Sequence, residues 1–326
     1  MNNTLTGKTV LITGGAGFIG SNLAELLYNN GNHVIVVDNL ITGRKKNIEH
    51  LLRKKNFSFI EGDIRKPKIC QKAVYGVDII FHQAALGSVP RSIDNPVLTT
   101  EINILGTVNI FDAARKAKIE RLVYAASSST YGDSTQIPKV ENCIGKPLSP
   151  YAITKYVNEL YADNFSRIYG LKTIGLRYFN VFGRRQDPEG AYAAVIPKFI
   201  LDIKQKKSPI INGDGSYTRD FTYIDNVLQA NILAATTENS EAFNNIYNIA
   251  CGESTTLNQL FQYIKKEIAN YDKECEIIEP IYGANRSGDI PHSLASIEKA
   301  QKLLGYAPKY NIQKGLHETV KWYFKN

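Results

Sequence analysis

Sulfur is scarce in this chain of 326 residues, which has four cysteines and one methionine. Cys70, Cys143, Cys251 and Cys275 stand far apart, without the short spacings that clasp a metal or staple a small secreted fold. They read as buried thiols of a reducing compartment, so no metal site is expected. No apolar run approaches the ~18 residues of a membrane span. The N-terminus enters a strand-like segment almost at once, so neither a span nor a secretory signal is expected, and the expected location is the cytoplasm. Linker-like stretches and internal repeats are missing too. Blocks of one charge are also lacking: the net charge is +8, but the basic residues are dispersed. Their longest cluster, Lys204-Gln205-Lys206-Lys207, falls late on an expected helix. Nucleic acid is therefore not the expected partner, whereas a small anionic ligand fits such a balance.

What is present is an alternation of short buried strands and amphipathic helices. Thr9-Val10-Leu11-Ile12-Thr13 reads as a buried parallel strand. It ends in Gly14-Gly15-Ala16-Gly17-Phe18-Ile19-Gly20, and helical periodicity follows through Leu23, Leu26 and Leu27. A second strand, His33 to Val37, ends at Asp38. Strand, glycine turn, helix, strand and acid within one crossover form a dinucleotide-binding pattern. The glycines allow a tight turn and let a pyrophosphate approach the helix N-terminus. Asp38 falls where a carboxylate accepts hydrogen bonds from the adenosine ribose, which favours NAD over NADP, although Arg44 and Lys45 lie just downstream.

Three further strands are expected at Phe57–Ile60, Val77–His82 and Arg121–Ala126. Asp63 follows the first and is either an adenine contact or an ordinary turn acid. After the second, the small residues of Gln83-Ala84-Ala85 would let the backbone pass close to a cofactor, and His82 reads as structural. One long helix is expected from Pro96 to Ala117. Strands and helices alternating at these lengths predict an α/β fold, a doubly wound parallel (Rossmann) sheet with its crevice at the carboxyl ends of the strands.

The third of these strands runs into Ser127-Ser128-Ser129-Thr130-Tyr131-Gly132. Next comes Ser149-Pro150-Tyr151-Ala152-Ile153-Thr154-Lys155, a helix start with Ser149 as its cap. Tyr151 and Lys155 are four apart and share a helix face. A free phenol, with a pKa of about 10, is a poor base. An adjacent ammonium is expected to lower that value and make Tyr151 a group that accepts and returns a proton.

With Leu176-Arg177-Tyr178-Phe179-Asn180-Val181-Phe182-Gly183, Asn212-Gly213-Asp214-Gly215 and Arg219-Asp220-Phe221, these motifs make a specific set. The chain resembles the extended short-chain dehydrogenases/reductases, in particular the nucleotide-sugar epimerases, and among them most resembles bacterial UDP-N-acetylglucosamine 4-epimerases. The likeness spans essentially the whole chain. It implies a Rossmann domain over 1–180, rejoined by about 225–252, and a smaller α/β nucleotide-sugar lobe formed mainly by 181–326. The cofactor implied is NAD. Its contacts would be Gly14, Gly17, Phe18, Ile19, Gly20, Asp38, Asn39, Gly43, Asp63, Ile64, Gln83, Ala84, Ala85, Tyr151, Lys155 and Tyr178. A UDP-sugar would meet Asn180, Val195, Lys198, Asn212, Arg219 and Arg286, with Ser88 and Arg91 facing the sugar. The resemblance also implies a homodimer through the helices near 95–117 and 150–169.

The reaction implied is reversible C4 epimerisation through a 4-keto sugar, with transient reduction of bound NAD. Tyr151 and Lys155 would be catalytic, with Ser127 or Ser128 relaying the proton. Relatives that eliminate water place an Asp-Glu pair after that serine, and those that decarboxylate UDP-glucuronate carry a Glu in the same loop. Here Ser128 and Ser129 occupy the two positions, and neither can act as the acid or base of an elimination. Ser293 matches the position that limits the group at sugar C2. Its small volume admits an N-acetyl group, which favours UDP-GlcNAc/UDP-GalNAc over UDP-glucose/UDP-galactose; a UDP-uronic acid is a further alternative. A dinucleotide-sensing protein without catalysis is the non-enzymatic one.

Overall fold

The computed structural model describes residues 4–190, 193–284 and 290–325. Its first strands are β1 (Thr9–Thr13), β2 (His33–Asp38), β3 (Phe57–Glu61), β4 (Ile79–His82), β5 (Arg121–Ser127) and β6 (Thr173–Tyr178). Between them run α1 (Phe18–Asn29), α2 (Pro67–Ala73), α3 (Val89–Asp94), α4 (Pro96–Thr100), α5 (Gly106–Lys116) and α6 (Pro150–Tyr169). The chain continues through β7 (Val181–Phe182), α7 (Val195–Lys204), β8 (Ile210–Asn212), β9 (Thr218–Arg219), β10 (Thr222–Tyr223), α8 (Ile224–Thr236) and β11 (Asn245–Ile249). It closes with β12 (Thr255–Thr256), α9 (Leu257–Ala269), β13 (Ile281–Gly283), α10 (Glu298–Leu304) and α11 (Ile312–Lys325).

Seven strands form one parallel sheet in the order β3-β2-β1-β4-β5-β6-β11. The order reverses between β1 and β4, and this is where a doubly wound sheet opens its crevice. Both faces of the sheet are covered, because side chains alternate along each strand. Val10 and Ile12 pack into one core with Leu23 and Leu27 of α1, whereas Leu11 packs into the other with Ile110 and Phe111 of α5. The chain returns to the sheet late, since β11 lies in register with β6 from Asn245 against Ile174 to Ile249 against Tyr178. The remaining strands pair in twos, β7 with β10, β8 with β13 and β9 with β12.

The helix expected from Pro96 to Ala117 is interrupted. After α4 the chain winds as a π-helix over Glu101–Leu105 before α5 begins. Asn103 supplies the reason. Its buried amide accepts from the Leu86 N–H at 2.7 Å and donates to the Leu86 carbonyl at 3.3 Å and the Thr154 hydroxyl at 3.1 Å. The wider turn serves tertiary partners, which periodicity does not reveal. It also ties the loop after β4 to α6.

Helix α6 starts as expected. The Ser149 hydroxyl accepts from the Ala152 N–H at 3.1 Å, Pro150 occupies the first turn, and Gly170 ends the helix in the left-handed region. Deeper in, Arg177 of β6 grips both carboxylate oxygens of Glu159 at 2.8 and 2.7 Å in a fully buried pair. That fork fixes the helix against the sheet one turn beyond Lys155.

Candidate active site

A cleft of about 370 Å³ opens at the carboxyl ends of β1, β2, β4 and β5. One wall is the glycine turn with Phe18 and Ile19. The floor is the Gln83-Ala84-Ala85 loop, and the far wall carries Ser127, Tyr151, Lys155 and Tyr178. Gly14 has φ +67°, and a Cβ there would lie 2.7 Å from the Ala84 Cα. Helix α1 has no side-chain cap at Gly17, so its first N–H groups are left for whatever occupies the cleft.

Asp38 ends β2 as a buried carboxylate that accepts from the Ala16 N–H at 2.9 Å and the Leu40 N–H at 2.8 Å. Burial raises its pKa while those two donors pull it down. Asn39 and Ile64 also line the cleft. Gly43 does not line it but packs against the Asp38 carboxylate. Asp63 stands beside the lining residue Asn39, whose amide donates to its carboxylate at 3.4 Å. Its carboxylate is held by Arg65, at 3.0 Å from Nε and 2.7 Å from Nη2, and it is not among the lining residues.

Ser127 is close enough for its hydroxyl to hydrogen-bond the Tyr151 phenol. It also accepts from the Ser129 hydroxyl at 2.8 Å. Ser128 starts a 3-10 turn away from the lining, so of the two candidate relay serines only Ser127 meets Tyr151. The expected lowering of the Tyr151 pKa is corrected: burial pushes it up, and only the Ser127 hydrogen bond opposes this. Lys155 does share the face, but its ammonium donates to the Ala125 carbonyl at 2.8 Å and lies 6.0 Å from the centre of the phenol ring. Burial brings Lys155 down to about 8, against the opposing charge of Glu159.

His82 is buried behind the floor, its ring nitrogens 2.7 Å from the Thr13 hydroxyl and 2.9 Å from that of Thr107. The sequence reading missed Asn231 of α8. Its amide donates to the Tyr178 hydroxyl at 2.9 Å and accepts from the Gln83 amide at 3.1 Å, which fixes two cleft residues together. The three side chains are far apart in the chain, so no local pattern could have signalled this.

A second cleft, of about 780 Å³, brings together Ser88, Val195 and Lys198, with Pro188, Gly190 and Ala194. Gly87 borders the first cleft and Ser88 the second, so the two clefts meet at the loop after β4. Ser88 holds φ +114°, a strained backbone for a serine, while its hydroxyl accepts from the Arg91 N–H. Arg91 turns back to the Gly87 carbonyl at 3.3 Å.

Asn180, Arg219 and Ser293 line neither cleft but are drawn together around Asp220. The Asn180 amide donates to the Asp220 carbonyl at 3.0 Å, and the Ser293 N–H donates to the carbonyl of Thr218, next to Arg219, at 3.2 Å. The Asp220 carboxylate, pushed up to about 7 by burial, gathers the N–H groups of Cys251, Gly252 and Ala295. Asn212 stands apart at the end of β8, and Arg286 lies outside the described residues. Among the described residues no helix is long and apolar enough to cross a membrane, and no group of side chains could hold a metal ion.

Residues 10–250 match the model of the NAD dependent epimerase/dehydratase family. The chain belongs to that family. A putative UDP-glucose 4-epimerase of Methanocaldococcus jannaschii is 40% identical over 319 residues, 97% of this chain and 99% of the relative. Among solved structures, the UDP-N-acetylglucosamine 4-epimerase of Methanobrevibacter ruminantium, in complex with UDP-N-acetylmuramic acid, has a TM-score of 0.91 at 37% identity. That match covers 98% of this chain and 99% of that one. The UDP-glucose 4-epimerase of Thermotoga maritima, with UDP-glucose, has a TM-score of 0.89 at 37% identity, covering 97% and 99%. The cofactor of this epimerase/dehydratase chain is NAD, and the first cleft suits it. The uncapped start of α1 takes a pyrophosphate, the Asp38 carboxylate takes ribose hydroxyls, and the crowded Gly14 leaves the backbone open.

Proposed function

We propose that this NAD-dependent UDP-sugar 4-epimerase acts on UDP-N-acetylhexosamines, interconverting UDP-GlcNAc and UDP-GalNAc. What supports the substrate choice is Ser293, at the position that the family resemblance assigns to the group at sugar C2. It is a small, half-buried residue on the segment held against Arg219. In the first cleft, Tyr151 takes the proton of the sugar C4 hydroxyl at its phenol oxygen. Ser127 bridges that oxygen to the phenol and keeps it aligned. Lys155, within the same face, supplies positive charge that favours the phenolate once substrate and cofactor fill the cleft. NAD, when bound, accepts a hydride from C4 and gives it back. Once the 4-keto sugar has turned about its diphosphate link to present the opposite face of C4, Tyr151 or Ser127 returns the proton to the C4 oxygen, which completes the inversion. Ser128 and Ser129 present no carboxylate beside the sugar, which argues against elimination. In the second cleft and around Asp220, Lys198 and Arg219 are the cations assigned to the diphosphate, and Ser88, Asn180 and Val195 are assigned to the sugar and nucleotide.

The active unit is proposed to be a homodimer. Ile93 and Val97 on α3 and α4, and Ile153, Leu160 and Ile168 on α6, are all at least half exposed on neighbouring helices, an apolar face of the kind that pairs.

The deciding experiment incubates the purified chain with UDP-GlcNAc and, separately, with UDP-glucose, and resolves the products by NMR. UDP-GalNAc forming faster than UDP-galactose supports the assignment. The Ser293→Tyr variant should then lose UDP-GlcNAc turnover by tenfold or more while keeping UDP-glucose turnover, on the order of the discrimination that filling a pocket achieves. Conversion of UDP-glucose alone would overturn the substrate choice, and turnover of a UDP-uronic acid alone would replace it.

A further inference from the structure

Residues 183–187 run between the two clefts. The segment leaves β7 at Gly183 and ends at Asp187, next to Pro188 on the wall of the second cleft. Its polar groups are tied to the cofactor side. The Asn22 amide donates to the Arg184 carbonyl at 3.1 Å. Arg185 donates to the Ser21 carbonyl at 3.2 Å and to the Glu25 carboxylate at 2.9 Å. The segment therefore lies along the first turns of α1. Arg184 pairs with Asp225 of α8 at 2.7 Å, and the Tyr323 hydroxyl donates to the Gln186 carbonyl. Asp187 completes the strap: one carboxylate oxygen takes the Arg44 guanidinium, and the other accepts from the Glu189 N–H at 3.1 Å.

The position of Arg44 gives that pair its meaning. It follows Gly43, where an added Cβ would lie 2.7 Å from both carboxylate oxygens of Asp38. The Arg44 N–H donates to the Ala16 carbonyl at 3.0 Å, and the Ala16 N–H donates to Asp38. The Arg44 backbone is thus pinned beside the acid at the ribose end of the cleft. A guanidinium in that neighbourhood is what accommodates a 2′-phosphate in dinucleotide-binding folds. The next cation, Lys45, lies over the Phe59 ring at 5.8 Å.

We infer that Asp187 is a cofactor-selectivity residue: by pairing with Arg44 it withholds from the ribose end of the cleft the cation that NADP would need, and so keeps the site for NAD. Asp38 repels the phosphate, and Asp187 removes the charge that could offset that repulsion. The two acids are 149 residues apart in the sequence (187 minus 38) and meet only through the loop that carries Arg44. The pair is part exposed, so its loss leaves the fold intact.

The test uses the full chain, stripped of dinucleotide and re-equilibrated with equal NAD and NADP; the bound dinucleotides are then released and quantified by chromatography. Asp187→Asn should raise the bound NADP:NAD ratio on the order of tenfold, as expected for a freed charge-assisted contact to phosphate. Arg44→Ala alone should leave the ratio at the wild-type value, and the double variant should return it there. An unchanged ratio in Asp187→Asn would overturn the inference, and so would a raised ratio that persists without Arg44. General loosening of the strap lowers total occupancy but not the ratio. Because the readout is binding, the result is independent of which UDP-sugar the enzyme turns over.

Discussion

The cofactor side and the sugar side of this molecule are built by different means. At the first cleft a glycine turn, an uncapped helix start and an alanine loop bring the backbone to the lining, all at the ends of the parallel strands. Around the second cleft the surface is side chains of helix α7 and of the loops that meet it, and around Asp220 it is side chains borne on strands of two residues and on loops. Charge divides along the same line. Residues 1–180 carry the whole net charge of +8, and residues 181–326 are neutral. The half assigned to a doubly anionic diphosphate therefore cannot rely on a general positive field and must hold it with individual cations. A fixed main-chain cradle suits a cofactor that stays, and separate side chains suit a substrate that must enter, turn and leave.

Removing the group that joins the two regions should have the largest effect. Tyr151→Phe keeps the ring but loses the proton-carrying oxygen, so kcat should fall by about 100- to 10,000-fold. If the two sides are separate, the dinucleotide retained per chain should not change, which release and quantification of the cofactor would check. A variant that also loses its cofactor would merge the regions that we distinguish.

A cofactor-side change should act in the opposite way. A Cβ at position 20 would lie 2.3 Å from the Gly14 carbonyl oxygen, a backbone atom that cannot swing aside. Gly20→Ala is expected to cost about 1–3 kcal/mol in a urea titration and to lower retained NAD. Both losses should appear with the sugar side chains untouched.

These contrasts explain what was legible in the sequence. The glycine turn, Asp38 and the Tyr151–Lys155 spacing are local patterns, and the structure puts all of them on one cleft. Ser149 and Gly170 mark the ends of α6 because caps are local as well. The misreadings share one feature. The helix after Pro96 was widened by Asn103 and the Tyr151 pKa was raised by burial; in each case the deciding partner or environment is tertiary. The strap at 183–187 reaches α1 across about 160 residues, so no periodicity could announce it. On the sugar side nearly every contact is of this kind, and there the resemblance supplied residues that spacing alone could not.

Acid should probe the cofactor side from beneath. Burial, helped by the charge of Lys155, pushes His82 down to about 3. As the pH falls the unfolded chain, with an ordinary imidazole near 6.5, binds the proton first. The stability that depends on neutral His82 is therefore complete above about pH 6.5 and is lost progressively as pH falls toward 3. By pH 5 that loss should reach about 2 kcal/mol. His82→Gln should flatten this slope between pH 7 and 5 in urea titrations, whatever constant cost it adds through Thr13 and Thr107. An unchanged slope would mean that another group controls the acid limb.

The smallest effect tests the sugar side at an exposed cation. Lys198 is half exposed and pairs with Asp202 one turn on, at 3.0 Å. A solvated pair of that kind contributes no more than about 0.5 kcal/mol to stability. If that were its whole role, Lys198→Ala would be silent in both unfolding and kinetics. Its place on the lining of the second cleft gives a different expectation, because a cation that meets diphosphate in the ground and transition states alike acts on binding rather than on the chemical step. KM for the UDP-sugar should rise on the order of tenfold while kcat, stability and retained NAD stay near wild type. That split is possible only if the sugar side works through separate cations. A fall in kcat would tie Lys198 to the reacting centre, and no change in KM would return it to the surface.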